Sequence, residues 1–182
     1  MEAAKAHGHA HGEKRKADAP GGLTAPEVLS IGSNASVLNA TNAGALAAVL
    51  AYPQPAEVAV PLKSDSDEQL LVSLELPSTH KLHAIKLAGP ADGTAPSTVK
   101  LFINRAAMDF SDCEDLCPTQ TVTLNGASAT IPLQLTKFQQ VNSLHVFIES
   151  NQGDEESTCL SRIELVGVPV PTTNMKDLKK GG

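Results

Sequence analysis

Val141-Asn142-Ser143-Leu144-His145-Val146-Phe147-Ile148-Glu149, then Ser150-Asn151-Gln152-Gly153-Asp154-Glu155-Glu156-Ser157-Thr158, then Cys159-Leu160-Ser161-Arg162-Ile163-Glu164-Leu165-Val166-Gly167 reads as strand, acidic turn, strand. The flanking runs are rich in β-branched and large apolar residues, and the middle has no large apolar side chain. Two such runs around a Gly-containing polar loop predict an antiparallel hairpin. Three consecutive acids, Asp154 to Glu156, exceed what a turn requires, so the loop is a candidate binding surface.

Similar strands lie upstream. Leu70, Val72, Leu74 and Leu76 alternate with Gln69, Leu71, Ser73 and Glu75, a period of two with Leu71 as the apolar exception. Pro77-Ser78-Thr79 predicts a turn, and Lys81 to Ala88 a second strand with Ile85 and Leu87 on one face. Gly89 to Pro96 is a breaker-rich loop. Val99, Leu101 and Ile103 form the inward face of a third strand, opposite Lys100, Phe102 and Asn104. Burying each of those three apolar side chains contributes about 1.5–3 kcal/mol. Arg105 to Thr119 is a long connection, acidic at Asp109, Asp112, Glu114 and Asp115. Gln120 to Leu124 and Thr130 to Leu135 are expected to pair across Asn125-Gly126, a favoured hairpin dipeptide.

The stretch from 28 to 62 is less regular. Leu46, Val49 and Leu50 have helical spacing and suggest a short helix that Gly44 weakens. Val58 and Val60 suggest a brief edge strand closed by Pro61. No helix-length periodic segment separates the strands, which argues against parallel βαβ units. Seven or eight short strands with breaker-rich turns predict an all-β fold, an antiparallel sandwich or jelly roll. The expected organisation is a disordered His/Gly/Ala-rich tail over 1–27, the β domain over 28–170 and a flexible tail over 171–182.

Apolar residues make up 41% of the 182, enough for a core, but there is no Trp, one Tyr and four Phe. That scarcity argues against stacking on single-stranded nucleic acid. The net charge of −6 opposes a broad phosphate-binding surface. No stretch is long and apolar enough to span a bilayer. The start of the chain lacks the apolar core of a signal peptide, so an intracellular protein is expected. Three cysteines fit free thiols in a reducing compartment.

Catalytic and cofactor patterns are absent: no phosphate-binding loop and no Gly-x-Ser-x-Gly elbow, so neither enzyme activity nor a cofactor is expected. His80, His83 and His145 lie in or beside strands with no nucleophile at a recognisable spacing. They read as satisfied, half-buried histidines. Cys113 and Cys117 have the wrong spacing for thioredoxin-type chemistry, and their acidic neighbours should raise a thiol pKa. They read as loop thiols. No metal site is expected beyond weak candidates at His7, His9 and His11 in the tail. The acidic groups Asp65, Asp67 and Glu68, Asp109 to Asp115, and Asp154 to Glu156 admit three readings. They solubilise loops, bind calcium, or offer acceptors to Lys and Arg on a partner.

Several motifs in order resemble the PITH domain, the C-terminal proteasome-interacting domain of thioredoxin-like proteins. They are Leu38-Asn39-Ala40-Thr41, Ser64-Asp65-Ser66-Asp67-Glu68-Gln69-Leu70-Leu71, Val99 to Asn104, Met108-Asp109-Phe110, Pro118-Thr119-Gln120, Lys137 to Ser143, Ser150 to Glu156, and Asn174-Met175-Lys176-Asp177. The resemblance, to the form without a thioredoxin domain, implies a galactose-binding-like β-sandwich. It also implies a non-enzymatic interaction module that docks on the proteasome regulatory particle, in cytoplasm and nucleus. The partner-binding candidates are Ser64, Asp65, Asp67, Glu68, Asn151, Gln152, Asp154, Glu155 and Glu156. The alternatives are a carbohydrate or small-ligand binding jelly roll, or an accessory to thioredoxin-type thiol redox. No nucleic acid or membrane partner is expected.

Overall fold

The computed structural model describes residues 24–31, 34–54 and 60–172. In chain order the strands are β1 (Glu27–Val28), β2 (Ala35–Leu38), β3 (Leu62–Lys63), β4 (Leu70–Ala88), β5 (Thr98–Ile103), β6 (Gln120–Thr123), β7 (Ser128–Pro132), β8 (Val141–Ile148), β9 (Cys159–Leu160) and β10 (Arg162–Pro169). Two short α-helices, α1 (Leu46–Leu50) and α2 (Phe110–Asp115), and a 3-10 turn at Ala43–Ala45 complete them among the described residues. Among the described residues no helix is long and apolar enough to cross a membrane. The weak metal-ligand candidates His7, His9 and His11 lie outside the described residues.

β4 organises the fold. Its first half, Leu70 to Glu75, pairs with β8 on one side and β2 on the other, and β8 continues through β5 to β6. Its second half, His80 to Ala88, pairs with β10 and β7, and β10 carries β1. The break in pairing between Glu75 and His80 is where the strand passes from one sheet to the other. Such a bend is how strands turn the corner of a sandwich. The expected turn at Pro77-Ser78-Thr79 is therefore a kink inside one 19-residue strand. Proline fits there because no partner needs its missing N–H.

The two sheets share one core. Leu70, Val72, Leu74, Val99, Leu101, Leu144, Val146 and Ile148 face it from the first sheet, and Leu82, Ile85, Leu87, Ile163 and Leu165 from the second. This is an all-β antiparallel sandwich of the jelly-roll type. The inward faces read from the alternation hold: Val99, Leu101, Ile85 and Leu87 are all fully buried. The expected short helix is α1, with Leu46, Val49 and Leu50 buried on one face against the core.

The outer face of the first sheet carries a second cluster of Leu71, Phe102, Met108, Cys113 and Phe147. α2 covers it, with Phe110 edge-on to Phe147 at 6.0 Å. Two apolar layers explain why the β8 run is nearly continuous in apolar residues and why Leu71 breaks the alternation. α2 itself starts from a capping box, in which Asp109 Oδ1 accepts from Asp112 N and Asp112 Oδ2 accepts from Asp109 N. Two acids of the long connection thus cap a helix.

Both predicted hairpins are absent. β8 and β10 flank β4 and each runs antiparallel to it, so they are parallel to one another. Their ten-residue connection, 149–158, is longer than a tight hairpin turn and crosses from one sheet to the other. Gln120 to Leu124 and Thr130 to Leu135 likewise separate: β6 adds to β5, and β7 adds to β4 in the other sheet. Gln120 alone ties them, accepting from Gln134 N at 2.9 Å and donating to Pro132 O at 3.2 Å. The proposed edge strand fails at Val60, which is exposed and lies outside any strand; Val58 is outside the described residues. The short strand here is β3, paired with β9.

Candidate functional site

Loops 64–68 and 151–158 meet at one end of the sandwich. Ser64 N donates to Thr158 O at 3.0 Å, and Thr158 N donates to Ser64 Oγ at 2.9 Å. Thr158 Oγ1 donates to Glu68 O at 2.6 Å. Ser64 and Thr158 are buried, so these bonds form where water cannot compete for them.

Asn39 holds the first loop from below. It follows β2 with φ of 62°, a left-handed conformation that asparagine tolerates better than most residues. Its Nδ2 donates to Asp67 Oδ1 and to Gln69 O, each at 2.7 Å, and its Oδ1 accepts from Ser66 N at 3.0 Å. Asn42 and Thr41 add bonds to Lys63 N, Pro61 O and Ser64 O. The Leu38 to Thr41 motif is thus the platform on which the Ser64 to Glu68 motif rests.

Asn151 organises the second loop in the same way. Nine-tenths buried and more, it donates through Nδ2 to Glu155 O and Ser157 O and accepts from Glu155 N at Oδ1. Gln152 Nε2 donates to Pro96 O at 2.7 Å and Leu124 O at 2.8 Å. Gly153 N donates to Gly93 O at 2.9 Å, and the two backbones pack so closely that a Cβ on Gly153 would lie 3.1 Å from Gly93 Cα.

The nine candidates therefore divide. Ser64 and Asn151 are buried braces, Asp67 is engaged by Asn39 and by Gln69 N, and Gln152 locks the loop to its neighbours. Asp65, Asp154, Glu155 and Glu156 are exposed, and Glu68 is half-buried. Between the loops is a concavity of about 590 Å³, lined by Asp65, Asp67, Glu68 and Glu156 with Lys63 as its single cation. Thr41 and Asn39, which complete its floor and its support, were missed as site residues although their motif was visible.

The acids do not converge as metal ligands: among the described residues no three His, Cys, Asp or Glu are grouped to hold a metal ion. The three cysteines are free thiols. Cys113 is buried in α2 and is not the loop thiol expected; burial, then the charges of Asp112 and Asp109, push its pKa up to about 11. Cys117 is exposed. His145 is buried and satisfied, with Nδ1 2.8 Å from Ser73 Oγ and Nε2 2.9 Å from Arg105 O. The Arg105 carbonyl can only accept, so Nε2 carries a proton; in the neutral ring Nδ1 then accepts from the Ser73 hydroxyl. Ser73 lies mid-strand, with its backbone amide in the ladder, which leaves the pair as a brace for the loop at Arg105. His80 Nδ1 is 2.7 Å from Ser78 O. His83 departs from expectation: its Nε2 is buried without a partner among the described residues.

The sequence model of the PITH domain family matches residues 32–181. The chain belongs to the PITH domain family. Among curated relatives, thioredoxin-like protein 1 of Schizosaccharomyces pombe is 41% identical over 128 residues, covering 65% of this chain and 44% of that protein. PITH domain-containing protein 1 of Homo sapiens is 32% identical over 95 residues, covering 50% of this chain and 44% of that protein. The chain spans about half the length of the curated relatives it matches. Among solved structures, the PITH fold is similar to the family 32 CBM from C. perfringens NanJ in complex with galactose. The TM-score is 0.53 at 8% identity, covering 73% of this chain and 92% of that one. It is also similar to an F5/8 type C domain from Bacteroides fragilis, with TM-score 0.55 at 9% identity, covering 81% and 100%. At these identities the likeness is one of fold.

Proposed function

We propose that this PITH chain is a non-enzymatic protein-interaction module whose acidic end docks on the proteasome regulatory particle. The observation that carries this reading is the joining of the two acidic loops. Segments about ninety residues apart are stapled by buried hydrogen bonds, while Asp65, Asp154, Glu155 and Glu156 remain exposed. A braced loop loses less conformational entropy on binding than a mobile one. Exposed carboxylates complement Lys and Arg on a partner and speed encounter with it. The proposal carries with it residence in cytoplasm and nucleus. Affinity purification of the full chain from cell lysate tests it: regulatory-particle subunits should be recovered above control, and their absence overturns the specific partner.

A carbohydrate-binding reading draws on one observation, the exposed Tyr52 beside a concavity of about 480 Å³ near α1. An aromatic platform of this kind suits a sugar face, but the lining adds mainly small and aliphatic side chains. Uniform blanks on a glycan array remove it. Thiol chemistry at Cys113 is disfavoured by its raised pKa, since the thiolate is the nucleophile.

A further inference from the structure

Asn125 and Gly126 lie in the crossover from β6 to β7, where both are exposed. Gly126 has φ of +99°, and a Cβ built on it would meet nothing within 4 Å. The segment is therefore open, and the Gly126 amide nitrogen has no side chain of its own shielding it. Asn125 itself has no side-chain hydrogen-bond partner among the described residues. The asparagines at 39, 42, 104, 142 and 151 all do, through bonds to Asp67, Pro61, Gln140, Thr79 and Glu155. Asn34 also lacks one among the described residues, but Ala35 follows it, and a residue with a Cβ in that position closes the ring less readily than glycine.

We propose that Asn125 is a site of spontaneous deamidation. The Gly126 amide loses its proton to solvent base, and its nitrogen attacks Cγ of Asn125. The Cγ–Nδ2 bond breaks, and Nδ2 takes up a proton and leaves as ammonia. A five-membered succinimide results. Water then adds to either of its carbonyls and opens the ring to aspartate or isoaspartate. No electrons are exchanged, and water is the only co-reactant.

The location gives the reaction a consequence. Gly126 N donates to Gln152 Oε1 across 3.4 Å, a long, exposed bond that opens before the nitrogen attacks, and Gln152 lies in the loop that carries Asp154 to Glu156. The product carboxylate therefore joins the end of the sandwich that is already acidic. Each event makes the chain one unit more negative than its starting charge of −6. The isoaspartyl product also lengthens the main chain by one methylene where it passes from one sheet to the other.

The test is to age the purified full chain at neutral and mildly alkaline pH. Isoelectric focusing, peptide mapping by mass spectrometry and labelling by an isoaspartyl methyltransferase follow the product. We expect an isoform one charge more acidic, mapped to position 125, forming faster as pH rises and ahead of change at Asn34 or Asn39. Asn125→Gln should abolish the isoform and the label. An isoform that maps elsewhere, or that persists in Asn125→Gln, overturns the assignment. So does an amide that stays intact in the folded chain while the urea-unfolded chain loses it.

Discussion

Ser64 and Thr158 bond to each other twice, by N–H to carbonyl at 3.0 Å and by N–H to hydroxyl at 2.9 Å, although 94 residues separate them in the chain. This pairing joins the two acidic loops. Ser64→Ala leaves the buried Thr158 N–H without its acceptor, which should cost about 1–3 kcal/mol. Urea denaturation of the variant should show a lowered midpoint with an unchanged slope.

Asn39 should be more sensitive. Asn39→Ala removes the bonds to Asp67, Gln69 and Ser66 and places an alanine at φ of 62°. Lost bonds and left-handed strain together predict a loss of about 2–4 kcal/mol. Asn39→Gly relieves the strain and not the bonds, so it should recover part of that loss. Equal stability of the two variants would remove the strain from the account.

Leu101→Asp buries an unpaired carboxylate in the core shared by both sheets, and should yield no soluble, cooperatively melting protein. Phe147→Ala, on the outer cluster beneath α2, should cost about 3–5 kcal/mol. It should also free α2, seen as faster amide exchange over residues 110–115.

Cys113 and Cys117 should react differently with iodoacetamide. Cys117 is exposed and should alkylate in the native state, whereas Cys113 should react only on unfolding. Because its folded pKa is raised to about 11, the Cys113 thiol stays neutral in the folded chain while the unfolded chain ionises near the ordinary thiol range of ~8.5. The resulting stability is fully present below that range and is lost as pH rises toward about 11. Cys113→Ser should flatten this alkaline decline, measured by denaturation across that window.

The sequence made the buried faces legible and the neighbours illegible. Val99, Leu101, Ile85 and Leu87 were readable because period two reports which side of a strand is apolar. It does not report which strand lies alongside. β8 and β10, and β6 and β7, therefore looked like hairpins although β4 and the gap between sheets separate them. Pro77 looked like a turn because a proline at a sheet-switching kink has the same composition as one in a loop. Leu71 and Phe102 marked the outer cluster, but the short helix that covers them has too few residues to show a period. At the site, the motifs were visible and their division of labour was not. Ser64 and Asn151 look like surface polar residues, yet burial has turned them into braces. Only the partners fixed by folding distinguish them from Asp65 and Glu156.

The central claim is that the exposed carboxylates of the braced end dock on the regulatory particle. The direct measurement is binding of purified regulatory particle to the full chain and to a triple variant, Asp65→Lys, Glu155→Lys and Glu156→Lys, over a range of salt concentrations. These side chains are exposed, and none makes a side-chain bond in the brace, so the variant should melt like the parent. The account predicts parent binding that weakens as salt shortens the Debye length below about 8 Å, and a variant that does not bind. Equal binding by parent and variant, or parent binding indifferent to salt, would contradict it.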